Sequence, residues 1–170
     1  ILVRALGYEP TVASKGGYPG GYLAVATQIG LSKNAMSAAT EAVKRGIVAN
    51  LANNALTIDL MEQTGFGDDA KWEVKDKTLL KDVLEVTKAN GRVTAVTGTS
   101  LTGEAGLDKN QIKIGDEIFA TAYNMNDLLG YNVTYYAQEN EEGKMEVILA
   151  LPEANKNKTF EVSSELMQGV

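Results

Sequence analysis

Two adjacent cations, Lys44 and Arg45, stand at the head of a long stretch with helical apolar spacing, and two tyrosines, Tyr18 and Tyr22, lie upstream among glycines. A guanidinium binds an anion as a planar fork, and an ammonium binds it as a point charge. A tyrosine ring offers an apolar face to the C–H surface of a sugar and a hydroxyl to its polar edge. The same amphipathic character suits Tyr8, Tyr18 and Tyr22 to anchoring a loop half-buried, and that is the commoner use. No catalytic set accompanies these residues. The chain has no cysteine and no histidine, which removes thiol nucleophiles, disulfides, Cys-ligated metals and the commonest general base. Paired carboxylates can hydrolyse glycosides, but no spacing here pins two of them across one cleft. The glycines of GGYPGG (16–21) lack the lysine of a phosphate-binding loop. Asp68-Asp69 and Asp108-Lys109-Asn110 resemble pieces of calcium loops without the glycine and distal glutamate such loops need. The residues read as those of a non-enzyme, with no catalytic residue, no metal site and no cofactor.

The elements that must position these side chains fall into two kinds. From Ala42 to Met61, Val43, Ile47, Leu51, Ala55 and Ile58 fall on one helical face, with Val48, Ala52 and Leu56 widening it. Asn34 and Ser37 are the candidate N-caps for this helix, with Thr40 and Glu41 in or near its first turn. Arg45 would then lie mid-helix. Ile1–Leu6 reads as the last turns of a helix closed by Gly7. Tyr22–Ile29 reads as a short helix with Leu23 and Ala26 inward, closed by Gly30. From Lys71 the alphabet changes. Trp72–Val74, Gly91–Thr97, Gln111–Ile114, Glu117–Ala120, Tyr131–Gln138 and Lys144–Leu151 read as strands, with Lys158–Val162 as a further one. Gly115-Asp116 fits a tight hairpin turn, and Asn126–Leu129 a helical turn before Gly130. The expected fold class is therefore α+β: a helical part over 1–64, then a small β-barrel or rolled antiparallel sheet over 71–170.

Charge divides in the same place. Residues 1–64 carry five Lys or Arg and four Asp or Glu, while residues 65–170 carry eleven and eighteen. The net charge of −6 and the acid isoelectric point argue against nucleic acid as a partner. No apolar run is long enough to span a bilayer. The start at Ile1, without Met, reads as an internal segment of a longer chain. VRALG (3–7) beside LANNALT (51–57) hints at tandem repeats.

The stretches LVRALGYE, GGYPGGYLAVATQIGL and KRGIVANLANNALTIDLMEQTGFG resemble S-layer homology domains of Gram-positive surface proteins. The β region containing LLGYNVTYYAQEN resembles the module that follows such repeats in some of these proteins. In that family a Thr-Arg-Ala-Glu type of motif opens a helix, its Thr and Glu forming a capping box and its Arg projecting from the first turn. Here Lys44 stands at the Thr position, Ile47 at the acid position, and Arg45 alone remains. The resemblance implies an extracellular, cell-wall location and recognition of anionic wall polysaccharide, with Arg45, Lys44, Tyr18 and Tyr22 as contacts. It implies a non-catalytic module that anchors or spaces a larger exoprotein, with neighbouring domains of the parent protein as further partners. Two alternatives stay open: a self-associating structural assembly protein, and a substrate-binding accessory domain of a larger enzyme.

Overall fold

The structure is a computed structural model that describes residues 1–35, 42–67 and 70–160. The chain forms two compact units, Ile1–Glu85 and Val86–Val170. It is α+β, with more strand than helix and with helices that are short.

The first unit contains α1 (Leu2–Ala5), α2 (Glu9–Val12), α3 (Gly20–Gln28), α4 (Arg45–Ala55) and an antiparallel pair, β1 (Asp59–Gln63) and β2 (Trp72–Thr78). Gly7 closes α1 as its spacing predicts. The Tyr8 amide donates to the Val3 carbonyl at 3.0 Å and the Gly7 amide to the Arg4 carbonyl at 2.9 Å. This paired ending demands a left-handed residue, and Gly7 has φ +85°. A Cβ there would also collide with the Met61 carbonyl of β1, so the glycine brings the helix end against the strand. Val3, Leu6, Tyr8, Val12, Val25, Leu31 and Ala55 form the buried core, with Leu51, Ile58 and Leu79 packed against it.

Several expectations change here. The helix that carries the basic pair begins at Arg45, with Lys44 at its N-cap in extended conformation. Asn34 sits in a left-handed turn (φ 56°) and does not cap it, and Ser37, Thr40 and Glu41 lie outside the described residues. The helix also stops at Ala55. Ile58 and Met61 match the helical period, yet Asp59–Gln63 forms a strand because β2 offers it a backbone ladder, with Met61 opposite Val74 and Gln63 opposite Trp72. Within α4, the Ile47–Leu51–Ala55 line turns inward while Val48 and Ala52 are exposed. In α3 Val25 is buried and Ala26 packs against the core as expected, while Leu23 is exposed. Gly21 sets that phase: a Cβ on it would meet the Val12 carbonyl at 2.5 Å, so Gly21 faces the core and Val25, four residues on, follows it. The sequence divides at 64–71, but the compact units meet at Glu85 and Val86, since β1 and β2 pair within the first unit and Leu60 and Met61 pack on its core.

The second unit contains β3 (Thr87–Val96), β4 (Thr99–Ser100), β5 (Gln111–Ile114), β6 (Glu117–Ala120), β7 (Asn132–Glu139) and β8 (Met145–Pro152). The β5–β6 hairpin turns at Gly115-Asp116 as expected, with Gly115 at φ +62°. β3 is bonded on both sides. Its first half, Thr87–Arg92, faces β7, and its second half pairs β5 through Val93↔Ile114 and Ala95↔Lys113. β7 pairs β8 antiparallel, and β8 meets β6 at Ala120↔Glu146. The pairings run β3–β5–β6–β8–β7 and return to β3. The expectation is a small β-barrel or rolled antiparallel sheet; among the named strands every pairing is antiparallel except the β6–β8 contact, which is parallel. Gly91 lies where β3 changes partners, and a Cβ on it would lie 2.5 Å from Ile114 Cγ2. Val93, Val96, Ile112, Ile114, Phe119, Val133 and Val147 fill the interior. The strand expected over Lys158–Val162 is not seen in its described part, 158–160, and its remainder lies outside the described residues.

Candidate functional site

Lys44 and Arg45 occupy the opening of an 11-residue helix, and both are exposed. The first N–H groups of a helix lack partners within it and carry its positive end. Among the described residues no side chain caps this end: Lys44 makes no cap hydrogen bond and the first turn holds no acid. Two side-chain cations are thus added to a terminus that is already electropositive, an arrangement unfavourable to the helix and suited to an anion. The other end of α4 is tied down. Asn54 Nδ2 donates to the carbonyls of Leu31 (3.0 Å) and Lys33 (2.7 Å), and Asn50 Nδ2 to that of Asn34 (3.4 Å). The sequence places these asparagines away from the most apolar line; they bind the turn that follows α3.

Tyr18 and Tyr22 come together at the start of α3. Their rings meet edge to face with centroids 6.2 Å apart. Tyr18 is 87 % exposed, and Tyr22 is half-buried. Two residues that the sequence did not single out complete this cluster. Arg4 of α1 donates through Nε to the Tyr22 hydroxyl at 2.9 Å, and its guanidinium lies 5.5 Å from the ring centroid. The Tyr22 hydroxyl donates to Glu9 Oε1 at 2.9 Å, and Arg4 pairs with the same carboxylate at 2.8 Å. The Tyr22 hydrogen bond and the Glu9 charge hold the Arg4 pKa above its usual value. The cation here is therefore paired in place; Arg4 and Glu9 remain exposed beside the Tyr18 ring. The only signal for Arg4 and Glu9 was their position on either side of the Gly7 turn. Tyr8 behaves as an anchor: it is buried, and its hydroxyl donates to the Asp59 carbonyl at 3.0 Å. Burial, then the Asp59 charge, raises its pKa.

The structure thus joins Tyr18 to Tyr22 and Lys44 to Arg45. Among the described residues no hydrogen bond, ion pair or aromatic contact links the two pairs. Among the described residues, too, no three His, Cys, Asp or Glu side chains gather as metal ligands, and no helix is long and apolar enough to cross a membrane. Asp68-Asp69 lies outside the described residues.

The candidate site consists of exposed cations at the start of α4 and a tyrosine pair at the start of α3. The comparisons with known proteins point to the cell envelope. The chain is 29 % identical over 167 residues to the "Middle cell wall protein" of Brevibacillus brevis, across 84 % of this chain and 15 % of that protein. It is 30 % identical over 150 residues to the "Surface layer protein" of Brevibacillus choshinensis, across 82 % of this chain and 12 % of that protein. The chain therefore spans a small part of the length of the curated relatives it matches. The likeness indicates an extracellular location, in the cell wall or at the cell surface. No protein-family model matches the chain, and no solved structure does.

Proposed function

We propose that the chain is a non-catalytic module of a Gram-positive envelope protein, and that its first unit is a divergent S-layer homology-type repeat that recognises anionic wall polysaccharide. The observation that carries this reading is the start of α4 at Arg45. It puts Arg45 in the first turn of the helix, which is the position the resemblance requires of the motif arginine, and it puts Lys44 at the cap. An acidic or pyruvylated sugar approaching this end would meet two cations and unpaired N–H groups together. Tyr18 and Tyr22 are the aromatic contacts in this reading, with Tyr18 exposed and Tyr22 held by Arg4 and Glu9. The relatives' names, a cell wall protein and a surface layer protein, support an anchoring or spacing role in a larger exoprotein. The ring of strand pairings in the second unit supports reading it as a small barrel that serves as a spacer.

The test is retention of the 170-residue chain on purified wall polysaccharide. Arg45→Ala and Lys44→Ala are each expected to weaken retention, and added salt to weaken it further, since the attraction is between exposed charges. Equal retention of parent and both variants removes these residues from the role.

Self-association is a second reading, favoured by Ile118, Leu149 and Leu151, which are 55 %, 44 % and 49 % exposed on β6 and β8, beside a seam paired only at Ala120↔Glu146. Sedimentation over a range of concentrations decides it; a monomer at every concentration rejects it.

A further inference from the structure

The second unit holds a groove of its own, away from anything the resemblance implied. It has a volume of about 600 Å³ and lies between three segments: Lys109–Gln111 leading into β5, Ile118–Ala120 of β6, and the Asn140–Met145 connection into β8. A second hollow of about 250 Å³ shares Lys109, Asn110, Gln111 and Thr121 with it and continues past Tyr123 to Asn126. The two form one track across the seam of the sheet. In the ring of strands, β5 and β6 are the second and third, residues 97–110 connect the first to the second, and residues 140–144 connect the fourth to the fifth. In five-stranded Greek-key barrels, that face and those two connections are where oligonucleotides and oligosaccharides lie. Architecture alone does not assign a ligand, so the choice rests on the lining.

The lining is polar and balanced in charge. Lys109, Lys144, Glu142 and Glu146 line it, and Lys144 is already paired with Glu142 at 2.9 Å. A nucleic acid needs a run of unpaired cations along its phosphates, and the groove lacks one. It offers amides and an aromatic ring instead. Among the described residues, the side chains of Asn110, Gln111 and Tyr123 make no hydrogen bond, and Tyr123 is 63 % exposed. The backbone that carries them is fixed. The Thr121 amide donates to the Asn110 carbonyl at 2.9 Å, and the buried Thr121 hydroxyl bonds both the amide and the carbonyl of Tyr123 at 3.2 Å. Unengaged amides held on a rigid wall match the donor and acceptor pairs of sugar hydroxyls, and the Tyr123 ring offers a sugar its face.

We propose that the second unit binds an uncharged oligosaccharide along this groove, with Gln111 and Asn110 on its hydroxyls and Tyr123 against a ring face. This site is separate from the Lys44–Arg45 pair and takes a different class of glycan.

The test is a titration of the ¹⁵N-labelled 170-residue chain with three probes in turn: an N-acetylglucosamine tetramer, a glucose tetramer and an eight-nucleotide single-stranded oligothymidine. At least one sugar is expected to shift the amides of Gln111, Ala120, Tyr123 and Lys144. Which tetramer does so distinguishes a wall-type glycan strand from a plain hexose polymer. Gln111→Ala combined with Tyr123→Ala is expected to weaken that binding at least tenfold at an unchanged Tm. Arg45→Ala is expected to leave it untouched, so loss of polysaccharide retention through the first unit is read separately. The proposal is overturned if neither sugar shifts those amides at millimolar concentration, if the double variant binds as the parent does, or if only the oligothymidine binds.

Discussion

Lys44→Asp should make the first unit more stable and the protein a poorer binder of anionic polysaccharide. Lys44 already has the backbone of an N-cap, at φ −68° and ψ 147°, but its side chain makes no bond to the helix. An aspartate there accepts from the free N–H groups of the first turn, which contributes about 0.5–2 kcal/mol relative to a residue that does not cap. Exchanging a cation for an anion at the positive end of the helix dipole adds about 0.3–1 kcal/mol. Together these predict roughly 1–2 kcal/mol, the lower half of the combined range, because the site is exposed and screened by salt. The chain's single tryptophan, Trp72, sits on β2 within the first unit, so its fluorescence in a urea titration reports that unit. With a slope of about 1–2 kcal/mol/M for a unit of this size, the midpoint should rise by roughly 1 M. An unchanged or lower midpoint would refute the claim that α4 begins uncapped at Arg45. A higher midpoint with undiminished retention on polysaccharide would leave the helix start standing and dismiss its role in binding.

Gly7→Ala should cost the first unit at least about 1–2 kcal/mol, since a left-handed non-glycine residue alone costs that much and the new Cβ runs into the Met61 carbonyl; Trp72 fluorescence in urea measures it. Gly91→Ala should destabilise the second unit by about 1–3 kcal/mol through overpacking on Ile114. In combination with Ile114→Ala it should cost less than the two single changes summed, a coupling that calorimetry can read. Thr78→Ala should cost about 0.5–2 kcal/mol, because the Thr78 hydroxyl accepts from the Lys81 amide at the head of the π-helical turn Leu79–Val83. The raised pKa of Tyr8 favours its neutral form in the folded state. That contribution is fully present below the unfolded tyrosine value, near 10, and is lost as pH rises through the folded value. Tyr8→Phe should therefore flatten the decline of stability above pH 10 and cost about 1 kcal/mol at neutral pH for the lost bond to the Asp59 carbonyl.

What the sequence made legible were features fixed by local backbone chemistry. Gly7, Gly30, Gly115 and Gly130 all take positive φ where their places in the sequence called for a cap or a turn. Gly115-Asp116 set the β5–β6 register directly. The extent of α4 was not legible, because Ile58 and Met61 continue the helical period while the backbone from Asp59 onward is claimed by β2, with Met61 opposite Val74. In α3 Ala26 packs inward as expected, but Leu23 was misjudged for a related reason: a residue with no side chain, Gly21, decides which face turns in. That Tyr18 and Tyr22 meet, four residues apart at the start of α3, follows from their spacing. Arg4 and Glu9, which hold Tyr22, come from two other helices and carry no motif. The groove of the second unit was invisible for the same reason: Gln111, Tyr123 and Lys144 are brought together only by the closing of the strand ring.

The placement of β7 between β3 and β8 has a mechanical consequence. Thr87, at the entry to β3, pairs with Ala137 near one end of β7, and Pro152, at the exit from β8, pairs with Val133 near the other. A pull applied to the second unit through these two points acts along the strands, so the β3–β7 and β7–β8 hydrogen bonds are loaded side by side and must fail together. Tension applied across the strands would open them one at a time. A unit threaded in this way transmits tension lengthwise as a tie rod does.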